Sequence, residues 1–554
     1  MSPAPATAEV PVAPDAAAPR GADLLVRTLE AHGVRRIFSL SGNHIMPVYD
    51  ALLETGIDLI HVRQEAAAVH MADAHARLTG EVGVALVTGG QGQSNAAAAL
   101  FTALAAESPV LLLSGHAGLG ELGRGAFQEL DQAAIARPMA KASWMVARGA
   151  DLGPDIGKAI RIAREGRPGP VHLSLPVDLL EQRLPDATAA APLPLEPAPD
   201  AVAVAAGVAA QLAAAEQPLI LASPAFCTPH GRPRLAALEA ATGVPVIGME
   251  SPRGVNDPGL GAFAEMLAAA DLLVLMGKAL DFTLKFGAPP AVAAGCRFVV
   301  VDPDEALLAR AAKAKGHLLA ARAQADAGAV IDALAASPPA PAPAHAAWRA
   351  KVREALAFLP PAWAGARAEG RVHPVELCTA VRDFLAGHPG ATLVCDGGEI
   401  GQWPQAIVKT DQRLINGVSG TIGASLPFAI AARLARPDAP VVAVLGDGTC
   451  GFHMAEFDTA VRCGAPFIAV VGNDARWNAE HQIQLRSYGA ERARYCGLLP
   501  TRYDAVAEAL GGFGALVTDP ADLPAALAAA HASGRPALIN VMIEGAPAPV
   551  IRRG

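Results

Sequence analysis

Short apolar runs recur along the chain, each bounded by Gly, Pro or charged residues and separated by longer stretches of mixed Ala, apolar and polar positions. An apolar run of roughly 4–8 residues has the length of a strand buried on both faces, whereas the longer stretches have the length and composition of helices. The runs are 36–40, 59–62, 84–87, 110–113 and 171–175 in the first third, then 219–222, 244–247, 272–275 and 298–301, then 393–395, 441–445, 468–471 and 538–543. Strands alternating with helices make a parallel sheet covered on both faces. The pattern predicts an α/β protein of three doubly wound parallel-sheet domains.

Two Pro/Ala-rich stretches, 183–200 and 337–345, read as extended linkers, because Pro stiffens the backbone and donates no hydrogen bond. They set domains at 21–183, 201–336 and 370–545, behind an Ala/Pro-rich leader at 1–20 expected to be disordered. The first and last domains share size and layout, as related halves facing one another would.

Composition narrows the function. Among 554 residues, 52% are hydrophobic and 18% charged, with a net charge of −9 and no basic run, which argues against a nucleic-acid partner. Mean hydropathy is positive, at +0.31, yet no apolar run approaches the roughly 20 residues that span a bilayer, so no membrane partner is expected. The leader has Glu9 and Asp15 and a single Arg, unlike a signal or transit peptide. Seven scattered cysteines without a CxxC fit reduced thiols and a cytoplasmic protein without structural zinc.

The densest chemistry lies at 441–480, VVAVLGDGTCGFHMAEFDTAVRCGAPFIAVVGNDARWNAE. Here an apolar strand runs into Gly446-Asp447-Gly448-Thr449, a helical stretch follows, and a second apolar strand ends at Asn473-Asp474. Both strand ends of a parallel βαβ unit emerge on one side of the sheet, so Asp447 and Asp474, 27 positions apart, can converge on one cation. Gly446 and Gly448 permit a tight turn and let backbone amides approach a phosphate. Oxygen ligands of this kind suit Mg²⁺, completed by a diphosphate, a carbonyl and water.

This segment resembles the signature of thiamine-diphosphate (ThDP) enzymes, and the wider sequence is similar to their acetolactate synthase, benzaldehyde lyase and 2-hydroxyacyl-CoA lyase branch. The resemblance runs from about residue 21 to 543 and implies a pyrimidine-binding, a central and a diphosphate-binding domain. It makes Asp447, Asp474 and the backbone carbonyl of Arg476 the Mg²⁺ ligands, with Asp474 standing where the family has Asn and Asn478 where a Gly is common. Thr449 and Asn473 line the same cofactor site.

In RQEAAAVHMADAHARLTG (63–80), Glu65 opens a helix after a strand. An apolar setting raises a carboxyl pKa, and the resemblance makes Glu65 the partner of N1′ of the cofactor's aminopyrimidine. VTGGQGQSN (87–95) is a Gly-rich turn beside it, with Asn95 structural. His44 in SGNHIMP and Gln128 in AFQELDQ match positions facing the substrate, as proton relays, and Phe127 is a candidate pocket wall. DGGEIGQWP (396–404), with Gly398 and Glu399, suits the diphosphate. In NGVSGTIGASLP (416–427) the family wedges the bent cofactor with the residue matching Ile422 and receives its amino group at the position of Gly420.

The resemblance implies a ThDP- and Mg²⁺-dependent carbon–carbon lyase or carboligase acting on 2-oxo acids, acetolactate synthase-like, or else of the 2-hydroxyacyl-CoA lyase or benzaldehyde lyase type. It also implies a homodimer or homotetramer with active sites shared between subunits. The central third, with LMGKALDF (275–282) and FVVVDPDE (298–305), resembles a nucleotide-binding fold that holds FAD or ADP in some relatives. A nicotinamide dehydrogenase built on Rossmann halves is the alternative that the strand–helix–strand pattern alone would favour. A ThDP-binding protein without turnover stays open, because of Asp474 and Asn478. The closing segment, with Arg552 and Arg553, reads as a solvated end rather than a cover over the site. No motif names the substrate.

Overall fold

The computed structural model describes residues 18–185, 187–195, 200–340 and 343–553, so the expected leader lies outside the described residues except for 18–20. The first sheet contains β1 (Arg36–Ser39), β2 (Asp58–His61), β3 (Gly83–Val87), β4 (Val110–His116), β5 (Ala142–Met145) and β6 (Val171–Pro176). The middle sheet contains β7 (Pro218–Ala222), β8 (Val246–Gly248), β9 (Leu272–Met276), β10 (Arg297–Asp302) and β11 (Leu319–Gln324). The last contains β12 (Thr392–Cys395), β13 (Gln412–Ile415), β14 (Val441–Gly446), β15 (Ile468–Asn473), β16 (Phe513–Val517) and β17 (Ala537–Met542). Strand pairing is parallel throughout, as in β1 with β3 and β14 with β15.

The strand orders are β2-β1-β3-β4-β6-β5, β11-β10-β9-β7-β8 and β13-β12-β14-β15-β17-β16. Counted from their own first strands, the first and last sheets have the same order, which gives the predicted likeness of the two halves a topological form.

Four strands lack a counterpart among the predicted runs: β5, β11, β13 and β16. All four lie at sheet edges. An edge strand is shielded less completely than a central one, so its sequence need not be uniformly apolar. Half-buried β5 (ASWM) and alternating β11 (LAARAQ) show this.

The second linker is shorter than its composition predicts. Residues 343–345 already belong to the helix Pro343–Ala357, which packs Trp348 and Val352 into the middle domain's core. Its register is pinned by Trp348 Nε1, which donates to the Pro218 carbonyl at 2.9 Å, and by His345 Nε2, 2.9 Å from the Ala215 carbonyl.

The first and last domains share one apolar core. Met71 and Ala67 from the helix Glu65–Thr79 and Leu100 from the helix Gln91–Ala105 belong to the same buried cluster as Phe428 and Ile430 from the helix Ser425–Ala435. Through that seam runs a buried ion pair, Arg77 with Asp73 at 2.6 Å, and Arg77 also donates to the Ile415 carbonyl at 2.8 Å.

Candidate active site

In the last domain, β14 and β15 lie side by side with Gly446 opposite Gly472, which delivers Asp447 and Asp474 together to the sheet's carboxyl end. Both carboxylates are buried, and Asp447 Oδ2 has no hydrogen-bond partner. Burial pushes the pKa of Asp447 up to about 6, against the pull of nearby backbone amides including those of Gly448 and Arg476. Burial and then the charge of Asp447 push Asp474 up to about 7. Two neighbouring buried carboxyls, the charge of one raising the proton affinity of the other and one with an orphaned oxygen, form a site that favours a cation. No cluster of three or more His, Cys, Asp or Glu side chains suited to a metal occurs among the described residues, so further ligands must be carbonyls, water or a cofactor's oxygens.

The loop between Asp474 and Arg476 is held under strain. Ala475 sits at φ +58°, the left-handed region that a residue with a Cβ rarely enters. Its N–H donates to Asn473 Oδ1 at 3.1 Å and its carbonyl accepts from the Leu498 N–H at 2.7 Å. Both Asn473 Nδ2 donors are spent, on the Thr501 carbonyl at 3.0 Å and Asn540 Oδ1 at 3.1 Å. Asn473 therefore fixes the loop from beneath.

A glycine cradle surrounds the pair. A Cβ on Gly448 would stand 2.7 Å from the Trp477 ring, and one on Gly398 2.5 Å from Ala479. Gly397 adopts φ +104° and faces the Thr449 hydroxyl, 3.2 Å from its ideal Cβ position. Asp396, which the sequence does not single out beyond its motif, organises these loops. Its Oδ1 accepts the Gly397 N–H at 2.6 Å, and its Oδ2 accepts those of Gly423 and Ser425 at 2.9 and 3.0 Å. An Asp directly after a strand and before two glycines is the signal that marks it. Glu399 turns toward the middle domain and pairs with Arg253 at 3.3 Å.

Half-buried Ile422 stands between Gly420 (φ +70°) and Gly423 (φ +99°). His453 Nδ1 lies 2.7 Å from the Gly423 carbonyl, and Thr421 Oγ1 is tied to Thr102 of the first domain at 2.9 Å.

The first domain builds a second group around the turn at Gly89 and Gly90. Glu65 opens its helix, buried, with Oε2 accepting from Asn95 Nδ2 at 3.1 Å. The structural role expected of Asn95 is thus to hold that carboxylate. His44 Nδ1 lies 3.3 Å from Thr88 Oγ1, and its ring stacks on Phe127 with centroids 6.0 Å apart. Burial, then the neighbouring His116, lowers the His44 pKa. Gln128 has φ +57° and a buried Oε1 without a partner, while Phe127 is 67% exposed. Gln132 supports all of this from below. Its Oε1 accepts the Gly90 N–H at 2.6 Å and its Nε2 donates to Ser114 Oγ at 2.9 Å.

Among the described residues of one chain, no hydrogen bond or ion pair joins Glu65, His44 or Gln128 to Asp447, Asp474 or the cradle glycines. The expected solvated end is overturned. Asn478 Nδ2 donates to the Ala546 carbonyl at 2.9 Å and Gln482 Nε2 to that of Gly545 at 3.1 Å, next to Asp474. The segment then crosses to the middle domain, where Arg553 Nε pairs with Glu265 at 2.8 Å. In the middle domain's own crevice, at the carboxyl ends of its strands, Arg167 donates to the Gly277 carbonyl at 2.5 Å and to Asp302 at 2.6 Å, and also pairs with Glu107.

Two parallel α/β domains, each with a polar group at the carboxyl edge of its sheet, place those groups where open α/β sheets hold ligands. Residues 19–135 match the thiamine pyrophosphate enzyme N-terminal TPP-binding domain, and residues 396–541 the corresponding C-terminal TPP-binding domain. The chain is 33% identical to human 2-hydroxyacyl-CoA lyase 2 over 90% of its length and 85% of that protein's. It is 31% identical to an acetolactate synthase large subunit of Mycobacterium tuberculosis over 94% of its length and 95% of that protein's. The 2-hydroxyacyl-CoA lyase 2 of Danio rerio is also 31% identical, over 94% and 91%. The chain belongs to the thiamine pyrophosphate enzymes and is a ThDP-dependent enzyme.

Proposed function

We propose that the enzyme uses ThDP with Mg²⁺ to make or break the carbon–carbon bond beside a carbonyl, with 2-oxo acids as donors, as an acetolactate synthase does. One observation carries this reading: a buried Glu65 held by Asn95 and a substrate-side wall of His44, Phe127 and Gln128 surround the same glycine turn.

The residues present fit the cofactor. Asp447, Asp474 and the Arg476 carbonyl would hold Mg²⁺, and the backbone around Gly398, Gly446 and Gly448 would cradle the diphosphate. Gly420 and Ile422 would seat the rings. Bound ThDP supplies a nucleophilic carbon and an electron sink. Glu65 keeps a proton at the pyrimidine ring nitrogen, its second oxygen fixed by Asn95. His44, neutral near pH 7 because burial lowers its pKa, can take or return a proton at a substrate oxygen. The unpartnered Gln128 Oε1 is an acceptor awaiting a donor.

Because no hydrogen bond or ion pair among the described residues joins the two groups, the reading has a second copy complete each site, in a homodimer or homotetramer. The seven cysteines are all free, which supports a cytoplasmic setting. No helix among the described residues is long and apolar enough to cross a membrane. FAD or ADP in the middle domain would have to displace Arg167 from its acceptors.

A second reading, 2-hydroxyacyl-CoA lyase, is favoured by the 33% identity to the human protein of that name. Incubation with ThDP and Mg²⁺ against pyruvate and against a 2-hydroxyacyl-CoA decides. Release of CO₂ with acetolactate supports the first reading, and a shortened aldehyde the second. ThDP binding with neither product overturns both readings.

A further inference from the structure

We infer that Glu456, on the last domain, is a positioning residue for Glu65 on the first; the inference rests on the role proposed above for Glu65. Glu456 opens the helix Glu456–Arg462 and is buried. Its Oε1 accepts the Arg63 backbone N–H at 3.0 Å, and its Oε2 accepts the Thr459 hydroxyl at 2.6 Å. Gln64, the next residue, caps the helix that begins at Glu65, with Oε1 accepting the N–H groups of Ala66 at 2.6 Å and Ala67 at 3.3 Å. The same helix of the last domain reaches the end of β2 as well. Arg462 Nη2 donates to the His61 carbonyl at 2.7 Å, and Asp458 lies 3.7 Å from Arg63.

The short connection that carries Glu65 into place is thus clamped along its length by a different domain. Val62, Phe457 and Ala460, residues beside the clamp in sequence, belong to the apolar cluster shared by the two domains, and burial raises the Glu456 pKa. An apolar side chain would fill that space at less cost in desolvation. What it would not supply is an acceptor for the amide two residues before Glu65. The clamp also continues directly from the cradle. Segment 447–462 starts at Asp447, holds the Gly423 carbonyl through His453, and ends on the backbone leading to Glu65. One stretch of chain therefore sets the phosphate end of one site and the acid of the first domain. With sites shared between two copies, these belong to different sites.

The test uses the full chain and the variants Glu456→Ala and Glu456→Gln. Amide hydrogen exchange over residues 62–66 is measured without cofactor, and hydrogen exchange at the thiazolium C2 of bound ThDP with Mg²⁺ present. Glu456→Ala is expected to keep ThDP affinity within about threefold while slowing C2 exchange at least about tenfold and exposing the 62–66 amides. Glu456→Gln, whose amide oxygen still accepts the Arg63 N–H, restores both. Wild-type exchange in Glu456→Ala, or a Glu456→Gln as impaired as Glu456→Ala, overturns the inference. Should Glu456→Ala not fold, Thr459→Val removes the hydroxyl that holds Oε2 and must show the same changes in smaller measure; no change there overturns it equally. Glu65→Gln separates the two ideas. Unchanged C2 exchange in that variant ends the role of Glu65, while amide protection still reports on the clamp.

Discussion

Asp447 and Asp474 stand at the ends of neighbouring strands, and the charge of Asp447 is, after burial, the main reason that Asp474 holds its proton up to about pH 7. Both folded-state values lie above the ordinary 3.8. The stability these groups contribute is therefore fully present below the ordinary 3.8 and is lost progressively until pH reaches about 6 to 7 in cation-free protein. A cation binds the deprotonated pair and reverses the sign. Removing one carboxyl by Asp474→Asn should raise the melting temperature of the cation-free protein at about pH 8, by an amount that shrinks steadily as pH falls and vanishes only below about pH 4. Mg²⁺-dependent ThDP binding by the natural chain should weaken as pH falls through the same window, and more shallowly in the variant. Calorimetry across pH checks both.

Glu65→Gln should lower turnover by about 10²–10⁴-fold while ThDP still binds, since proton transfer is lost and the cradle is untouched. Asn95→Ala removes one hydrogen bond to a charged group and should cost about 1.5–3 kcal/mol of that function. Steady-state kinetics beside cofactor titration separates the two effects, and an Asn95→Ala enzyme of normal rate would show that the contact is idle.

Gly448→Ala should lose ThDP binding and destabilise the fold by about 1–3 kcal/mol, because the new methyl would stand 2.7 Å from the Trp477 ring. Denaturant unfolding and cofactor titration measure the two losses.

Arg553→Ala releases an ion pair whose partners are 26% and 34% exposed, so global stability should change by less than about 1 kcal/mol. Local protection should change far more. Amides at 545–551 should exchange faster, and bound ThDP should leave sooner after chelation of Mg²⁺; identical release rates would mean that the segment holds nothing in.

The central strands and the residues at their carboxyl ends were legible in the sequence, because burial on both faces leaves an unbroken apolar run that stops at a functional loop. Asp447 and Asp474 stand at the ends of two such strands, whereas Glu65 follows the edge strand β2 and was singled out by resemblance alone. Edge strands such as β11 were not, since one exposed side admits Arg322 and Gln324. Residues that act by holding others were also hidden. Asp396, Gln132 and Glu456 bond to backbone brought near by folding, up to 393 positions away for Glu456, and no local pattern announces such a partner. The Arg553 latch has the same character.

The buried seam that joins Met71 to Phe428 also governs how the polypeptide is made. A nascent first domain emerges from the ribosome with the outer face of the helix Glu65–Thr79 bare, and the helix that covers it, Ser425–Ala435, is translated much later. Through synthesis of the whole middle domain that greasy surface is open to chaperones or to wrong neighbours. Production of this enzyme should depend on chaperone supply and growth temperature more than its final stability suggests.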